Sequence, residues 1–149
     1  MKQKKVFIGA DHAGFELKEK LKRALSKTVA LKDLGAYTFQ KDDDYPDIAA
    51  KVARAVVNGK TKGILLCGSA EGICIAANKI KGIRAVAVWT PQNARLSREH
   101  NDANILCLSG WELSLAKTVL ITNVWLKTPF SGDTRHVRRI SKIANLERC

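Results

Sequence analysis

The sequence predicts an α/β protein built on a five-stranded parallel sheet covered by helices on both faces. Two observations carry this expectation. Short apolar runs rich in β-branched residues alternate with helical stretches along the chain, the signature of βαβ units. The run Ile64-Leu65-Leu66 is continuously apolar, as a strand buried on both faces must be.

Each element has a local reason. Val6-Phe7-Ile8-Gly9 reads as a first strand. Phe15 to Leu25 follows with apolar residues at 17, 21, 24 and 25, a helical period. Val29 to Leu34 is a weaker second strand closed by Gly35, and residues 36–45 form a polar loop holding Asp42, Asp43 and Asp44. Pro46 opens a helix to about Val57, since proline suits the first helical turn. Gly63 to Cys67 is the third strand, Gly68 to Gly72 a turn, and Ile73 to Lys79 a short helix. Ala85 to Val88 is the fourth strand, Pro91 to His100 a helix, and Asn104 to Leu108 the fifth strand. Leu113 to Leu126 is a long amphipathic helix, broken by Thr128, Pro129, Ser131 and Gly132 before a final helix from Arg135 to Arg148. No repeat or linker interrupts the chain, so residues 1–149 read as one domain.

Composition excludes several classes. The 149 residues are 46% hydrophobic and 27% charged, which fits a globular core rather than a disordered tail. No run approaches the roughly 18 apolar residues of a membrane helix, and the short Val6–Ala10 run is no signal-peptide core. A cytoplasmic location is expected, without membrane contact. Lys and Arg number 26 against 14 Asp and Glu, a net charge of +12. Such a charge invites a nucleic-acid reading, but the bases are scattered from Lys2 to Arg148, and only Lys18, Lys20, Lys22 and Arg23 approach a patch. Specific nucleic-acid binding is not expected; a small anionic ligand is, because a basic field steers one inward.

Cys67, Cys74, Cys107 and Cys149 form no Cys-x-x-Cys pair and have no histidine at zinc-finger spacing. Reduced thiols are expected, with Cys74 and Cys107 buried in apolar runs and Cys149 inert.

In parallel α/β sheets, sites lie beyond the carboxyl ends of the strands. That rule selects Asp11-His12 after the first strand, Cys67 to Gly72 after the third, and Ser109 to Trp111 after the fifth. Gly68 and Gly72 allow close backbone approach, and amides opening a helix favour an anion. A thiol held there is expected to have a pKa below its ordinary value of about 8.5. Cys67 thus reads either as a base or nucleophile or as a buried strand-end cysteine. The turn is neither a dinucleotide fingerprint nor a Walker loop. Asp11 reads as a helix cap or a functional acid beside His12. His100 ends a helix, where residue type alone favours a surface histidine. Arg135 and Arg139 share a helix face, fitting either a phosphate clamp or a solvated basic face. The acids at 42–44 and 47 lack the spacing of a calcium loop and read as a solvated loop with helix-start acids.

Taken together, the motifs resemble those of the RpiB/LacAB sugar-phosphate isomerases. The resemblance rests on Gly9-Ala10-Asp11-His12-Ala13-Gly14, Asp44-Tyr45-Pro46-Asp47, Cys67-Gly68-Ser69 with Gly72, and Ile75-Ala76-Ala77-Asn78-Lys79. It continues through Gly82-Ile83-Arg84-Ala85, His100-Asn101-Asp102 with Asn104, and Arg135-His136 with Arg138-Arg139. Each motif is weak alone, but the ordered set spans nearly the whole chain. The resemblance implies a Rossmann-like three-layer sandwich and interconversion of aldose and ketose phosphates, typically ribose and ribulose 5-phosphates. It implies no metal or other cofactor. It implies a homodimer with shared active sites, tetramers in some members, and a C-terminal helix reaching the partner subunit.

Carried over residue by residue, the resemblance implies that Cys67 moves a proton between carbons two and one, with Ser69 near the sugar oxygens. His100, with Asp11 nearby, would open the furanose ring. Tyr45 and Asn101 would contact the sugar, and His12, Arg135, His136 and Arg139 the phosphate. The amides of Gly68 to Gly72 would hold the enediolate oxygen. The chain departs from the family pattern in three places. Ile73 stands where one branch has a glutamate base, leaving Glu71 as the nearest carboxylate. Trp111 stands where arginine is common, and Ser131-Gly132-Asp133-Thr134 replaces a usual Gly-Gly pair. Trp111 keeps a hexose 6-phosphate open as substrate. A non-catalytic module binding a sugar phosphate or nucleic acid is the alternative of a different class.

Overall fold

The structure, a computed structural model, describes residues 4–148. Cys149 therefore lies outside the described residues. Five strands alternate with helices: β1 (Val6–Ala10), β2 (Leu31–Asp33), β3 (Gly63–Cys67), β4 (Ala85–Ala87) and β5 (Ile105–Ser109). The helices are α1 (His12–Leu25), α2 (Tyr45–Gly59), α3 (Glu71–Ala77), α4 (Pro91–Asn101), α5 (Leu115–Lys127) and α6 (Thr134–Leu146). The sheet order is β2-β1-β3-β5-β4 and every pairing is parallel. The predicted five-stranded α/β architecture is the observed one. No helix is long and apolar enough to cross a membrane, among the described residues.

The pleat divides the core in two. Ile64 and Leu66 of β3, with Ile8, Leu106 and Leu108, face α1, α4 and α5 and meet Leu21, Ala94 and Trp125. Leu65 and Cys67, with Ile105 and Cys107, face α2 and α3 and meet Val52, Val56 and Ile73. Successive side chains of one strand thus feed opposite layers. All five residues of β3 are buried, and each fully buried leucine contributes about 1.5–3 kcal/mol.

Element boundaries differ from expectation where a cap or a contact decides them. The first helix begins at His12 rather than Phe15, because Asp11 accepts a hydrogen bond from the Gly14 amide at 3.1 Å. Gly14 is required there: a Cβ would lie 2.5 Å from the Leu66 carbonyl. The fifth helix begins at Leu115 because Ser114 caps it through Lys117, which leaves Leu113 buried in the preceding turn.

The near-patch of bases on α1 is offset by carboxylates that pair with its lysines. Lys18 is fully buried and bonds Asp33 at 2.8 Å, Lys22 bonds Asp33 at 2.6 Å, and Lys20 bonds Glu16 at 2.7 Å. Burial pushes the Asp33 carboxyl up, but the Lys18 and Lys22 hydrogen bonds outweigh it and hold the group below its ordinary value. Cys107 is buried as expected, whereas Cys74 is only half-buried.

Helix α6 stands apart. His136 is its only buried residue, while Val137, Ile143 and Leu146 are exposed.

Candidate active site

Three turns interlock at the carboxyl edge of the sheet, those following β1, β3 and β5. The Asp11 amide donates to the Leu66 carbonyl at 3.3 Å, and the Gly110 amide donates to the Cys67 carbonyl at 2.7 Å. Ser109 Oγ and the Trp111 amide both donate to the Gly68 carbonyl, at 2.6 and 3.2 Å. A Cβ on Gly110 would lie 2.5 Å from the Ala13 carbonyl oxygen. The turn after β5 is thus wedged against both others, and these bonds fix the backbone around Cys67.

Cys67 ends β3 and is 4% exposed. Contrary to expectation, its thiol pKa is raised. Burial disfavours the thiolate, and hydrogen bonding from the amides of Ile73, Ala70 and Ser69 offsets this only in part. The Asp11 charge adds to the rise. Helix α3 has only seven residues, so its amides act at close range rather than through a long dipole. Ala70 adopts φ 70° at the start of that helix. A left-handed alanine costs roughly 1–2 kcal/mol, and here it directs amides at the sulfur. Ser69 is half-buried and its Oγ accepts from the Glu71 amide at 3.3 Å, while Glu71 itself is exposed.

Two aromatic side chains flank this turn. The Tyr45 ring lies against Gly72 and the Trp111 ring against Gly68, so a Cβ on either glycine would clash. Trp111 is nevertheless 74% exposed.

Asp11 is buried, and burial pushes its carboxyl pKa up. It serves both as helix cap and as neighbour of Cys67. His12 Nδ1 lies 2.8 Å from Asp43 Oδ1, which also accepts from the His12 amide at 2.9 Å. This hydrogen bond raises the His12 pKa. Asp43 was missed in the sequence, where it read as part of a solvated acidic loop. Nothing local distinguishes it from Asp42 or Asp44; the chain fold alone brings it to His12. Asp11, His12 and Asp43 are also the one group among the described residues able to offer three ligand atoms to a metal ion.

Replacing Asp43 by asparagine is expected to lower the His12 pKa, read as the imidazole titration midpoint by NMR. The wild-type midpoint should lie above the usual value of about 6.5. The stabilising contribution of the pair is full below the unfolded-state value and is lost as pH rises through the raised folded value. A midpoint unchanged in the variant would remove Asp43 as the cause.

The remaining predicted residues lie at the other edge. Helix α4 starts beyond the carboxyl end of β4 and ends before the amino end of β5, so His100 and Asn101 sit at the amino edge. Arg84, just before β4, donates to the Asn101 carbonyl at 2.9 Å. His136 joins them: its ring centroid is 4.4 Å from that of His100, and Ser131 at the α6 entrance donates its amide to the Glu99 carbonyl. Burial, then the neighbouring His100 and Arg135, lowers the His136 pKa. Its Nδ1 lies 3.0 Å from Ser131 Oγ. Arg135 and Arg139 are exposed, and Arg135 approaches Asp133 at 4.0 Å.

Within one chain, therefore, Asp11, His12, Tyr45, Cys67, Gly68, Ser69 and Gly72 share the carboxyl edge. His100, Asn101, Arg135, His136 and Arg139 share the amino edge. The first group has a thiol with amides beside it, the kinds of group that proton transfer next to a carbonyl uses. The second has cations suited to a phosphate.

Comparison with known proteins matches this architecture. The family described as Ribose/Galactose Isomerase matches residues 6–143. The chain is 42% identical over 146 residues to a probable ribose-5-phosphate isomerase B of Mycoplasma genitalium, covering 96% of this chain and 95% of that protein. It is 40% identical over 146 residues to ribose-5-phosphate isomerase B of Escherichia coli, covering 97% of each. The crystal structure of the Mycoplasma genitalium enzyme with bound ribulose-5-phosphate superposes with a TM-score of 0.91 at 41% identity, over 97% of this chain and 96% of that one.

Proposed function

The chain belongs to the ribose/galactose isomerase family, and from that premise we propose how its two groups of residues carry out the reaction. The protein is an aldose–ketose isomerase, and its reaction is the interconversion of ribose 5-phosphate and ribulose 5-phosphate. The observation that carries the mechanism is Cys67, closing β3 beside Asp11 with the amides of Ser69, Ala70 and Ile73 turned toward its sulfur.

In this reading His100 opens the furanose ring, taking the proton of the anomeric hydroxyl while the ring oxygen is protonated, with Asp11 nearby. Cys67, as thiolate, removes the proton on carbon two. The electron pair moves into a carbon–carbon double bond and the carbonyl becomes the enediolate oxygen. Amides of the Gly68 to Gly72 turn face that developing charge, and Ser69 lies beside the sugar oxygens. The proton of the carbon-two hydroxyl passes to the carbon-one oxygen, and the Cys67 thiol returns its proton to carbon one, giving the ketose and regenerating the thiolate. Tyr45 and Asn101 orient the sugar. His12, Arg135, His136 and Arg139 hold the phosphate, whose binding energy orients the reacting carbons.

The two groups meet only if a second copy brings its amino edge to the first copy's carboxyl edge. A two-fold dimer does this twice. The exposed apolar residues of α6 supply a surface for that contact. A homodimer with shared sites is accordingly part of the proposal.

Turnover of ribose 5-phosphate, measured beside allose and galactose 6-phosphates in excess chelator, tests the reading. The pentose phosphate is expected to have the highest kcat/KM, and Trp111 against Gly68 favours including the hexoses. Preference for a hexose phosphate would reassign the substrate; no turnover of any would reject catalysis.

A further inference from the structure

A cavity of about 1040 Å³ lies at the amino edge beneath the strands, away from Cys67. Val6, Lys62, Arg84 and Asn104, which border it, are the first residue of β1 or the residues just before β3, β4 and β5. We propose that this cavity is a second binding site, for a small organic polyanion carrying phosphate groups.

The charge balance supports an anion. Six cations line the cavity, Lys4, Lys60, Lys62, Arg84, Arg98 and Lys127, against one carboxylate, Asp102. The C-termini of α1, α2, α4 and α5 also end at this edge. Each contributes about half a negative charge, roughly two in all. Glu147, which accepts from the Gly82 amide at 2.9 Å, adds one at the rim. The cations still exceed these together, so helix-end compensation does not account for all of them.

The cations divide by role. Arg98 is committed to the Ala103 and Thr128 carbonyls and to Asp102 at 2.8 Å. Arg84 is committed to the carbonyls of Asn101 and Asp102. Lys62 is different. Its Nζ donates to the Leu126 carbonyl at 3.2 Å and lies 5.4 Å from the Trp125 ring centroid, with no ion pair among the described residues. Burial, reinforced by Arg98, pushes its pKa down to about 8. An anion would relieve that cost with donors Lys62 still has. Lys60 and Lys127 at the mouth supply further charge, while Val6, Val29, Val56 and Leu126 give an apolar lining. The volume is at the upper end for small-molecule sites, and the mixed lining suits an organic phosphate.

His100 is on the other side of α4. Arg98 is buried toward Trp125, whereas His100 is exposed and meets His136. The cavity is therefore distinct from the proposed substrate phosphate residues, and the inference stands whether or not the isomerase mechanism does.

The test is calorimetric titration of the full chain with ADP and with inorganic pyrophosphate. Saturable binding of either is expected to survive in R135Q/R139Q, to weaken about tenfold in K62M, and to be unchanged in the exposed control K117Q. K60Q/K127Q probes the mouth should K62M fail to fold, and the same weakening is expected. Overturning results are no saturable binding, loss in R135Q/R139Q with K62M unaffected, or equal weakening in K117Q. The last would mean diffuse attraction, which salt screens.

Discussion

Changing Cys67 to serine is expected to lower kcat by about two to four orders of magnitude, the range a positioned base contributes, while leaving the fold intact. Serine nearly matches the shape of cysteine, and the amides of Ser69, Ala70 and Ile73 can bond its hydroxyl, so the buried site need not reorganise. The hydroxyl is far too weak an acid to supply an oxyanion near neutral pH. The wild-type pH dependence provides a second reading. Burial raises the Cys67 pKa, so the thiolate fraction grows with pH beyond the ordinary thiol value of about 8.5, and kcat/KM should climb through that region. Alkylation of Cys67 should accelerate over the same range. By linkage, the stability gained from the raised pKa is present below the unfolded-state value and is lost as pH rises through the folded one. Serine-variant turnover within a few-fold of wild type would remove Cys67 as the base.

The second large effect is complementation between two inactive proteins. C67S disables the carboxyl-edge half of a site and H100N the amino-edge half. Each homodimer then lacks one half at both sites. After subunit exchange, random pairing makes about half the dimers mixed, and each mixed dimer has one intact site and one doubly altered site. Turnover should recover to about a quarter of the wild-type rate from two nearly silent proteins. The recovery has to follow exchange, so mixing without dissociation is the control. Demonstrated exchange with no recovery would exclude shared sites, and an active monomer would exclude them independently.

Why Cys67, Asp11 and His12 could be selected from the sequence is a matter of periodicity. Parallel strands announce themselves by apolar runs, and the residues just after such runs fall at one edge of the sheet whatever the rest of the chain does. The glycines at 68 and 72 were likewise visible, and the structure shows aromatic rings against both. The helical starts were less legible. Asp11 capping Gly14 and Ser114 capping Lys117 are bonds of one residue to another three away, and several polar residues nearby offered the same chemistry.

The sequence by itself determined the α/β class, the number and order of elements, and the family of chemistry, because these follow from local pattern and ordered motifs. Tertiary structure decided the rest, because it depends on distance through space and on exclusion of water. Folding brings Asp43 to His12 across 31 positions. It neutralises Lys18, Lys20 and Lys22 with carboxylates. It raises the Cys67 pKa, since burial outweighs the amides that residue order had suggested would prevail. It also separates His100 and Arg135 from Cys67 by the depth of the sheet, because a crossover helix in a parallel sheet carries the chain back to the opposite edge before the next strand begins.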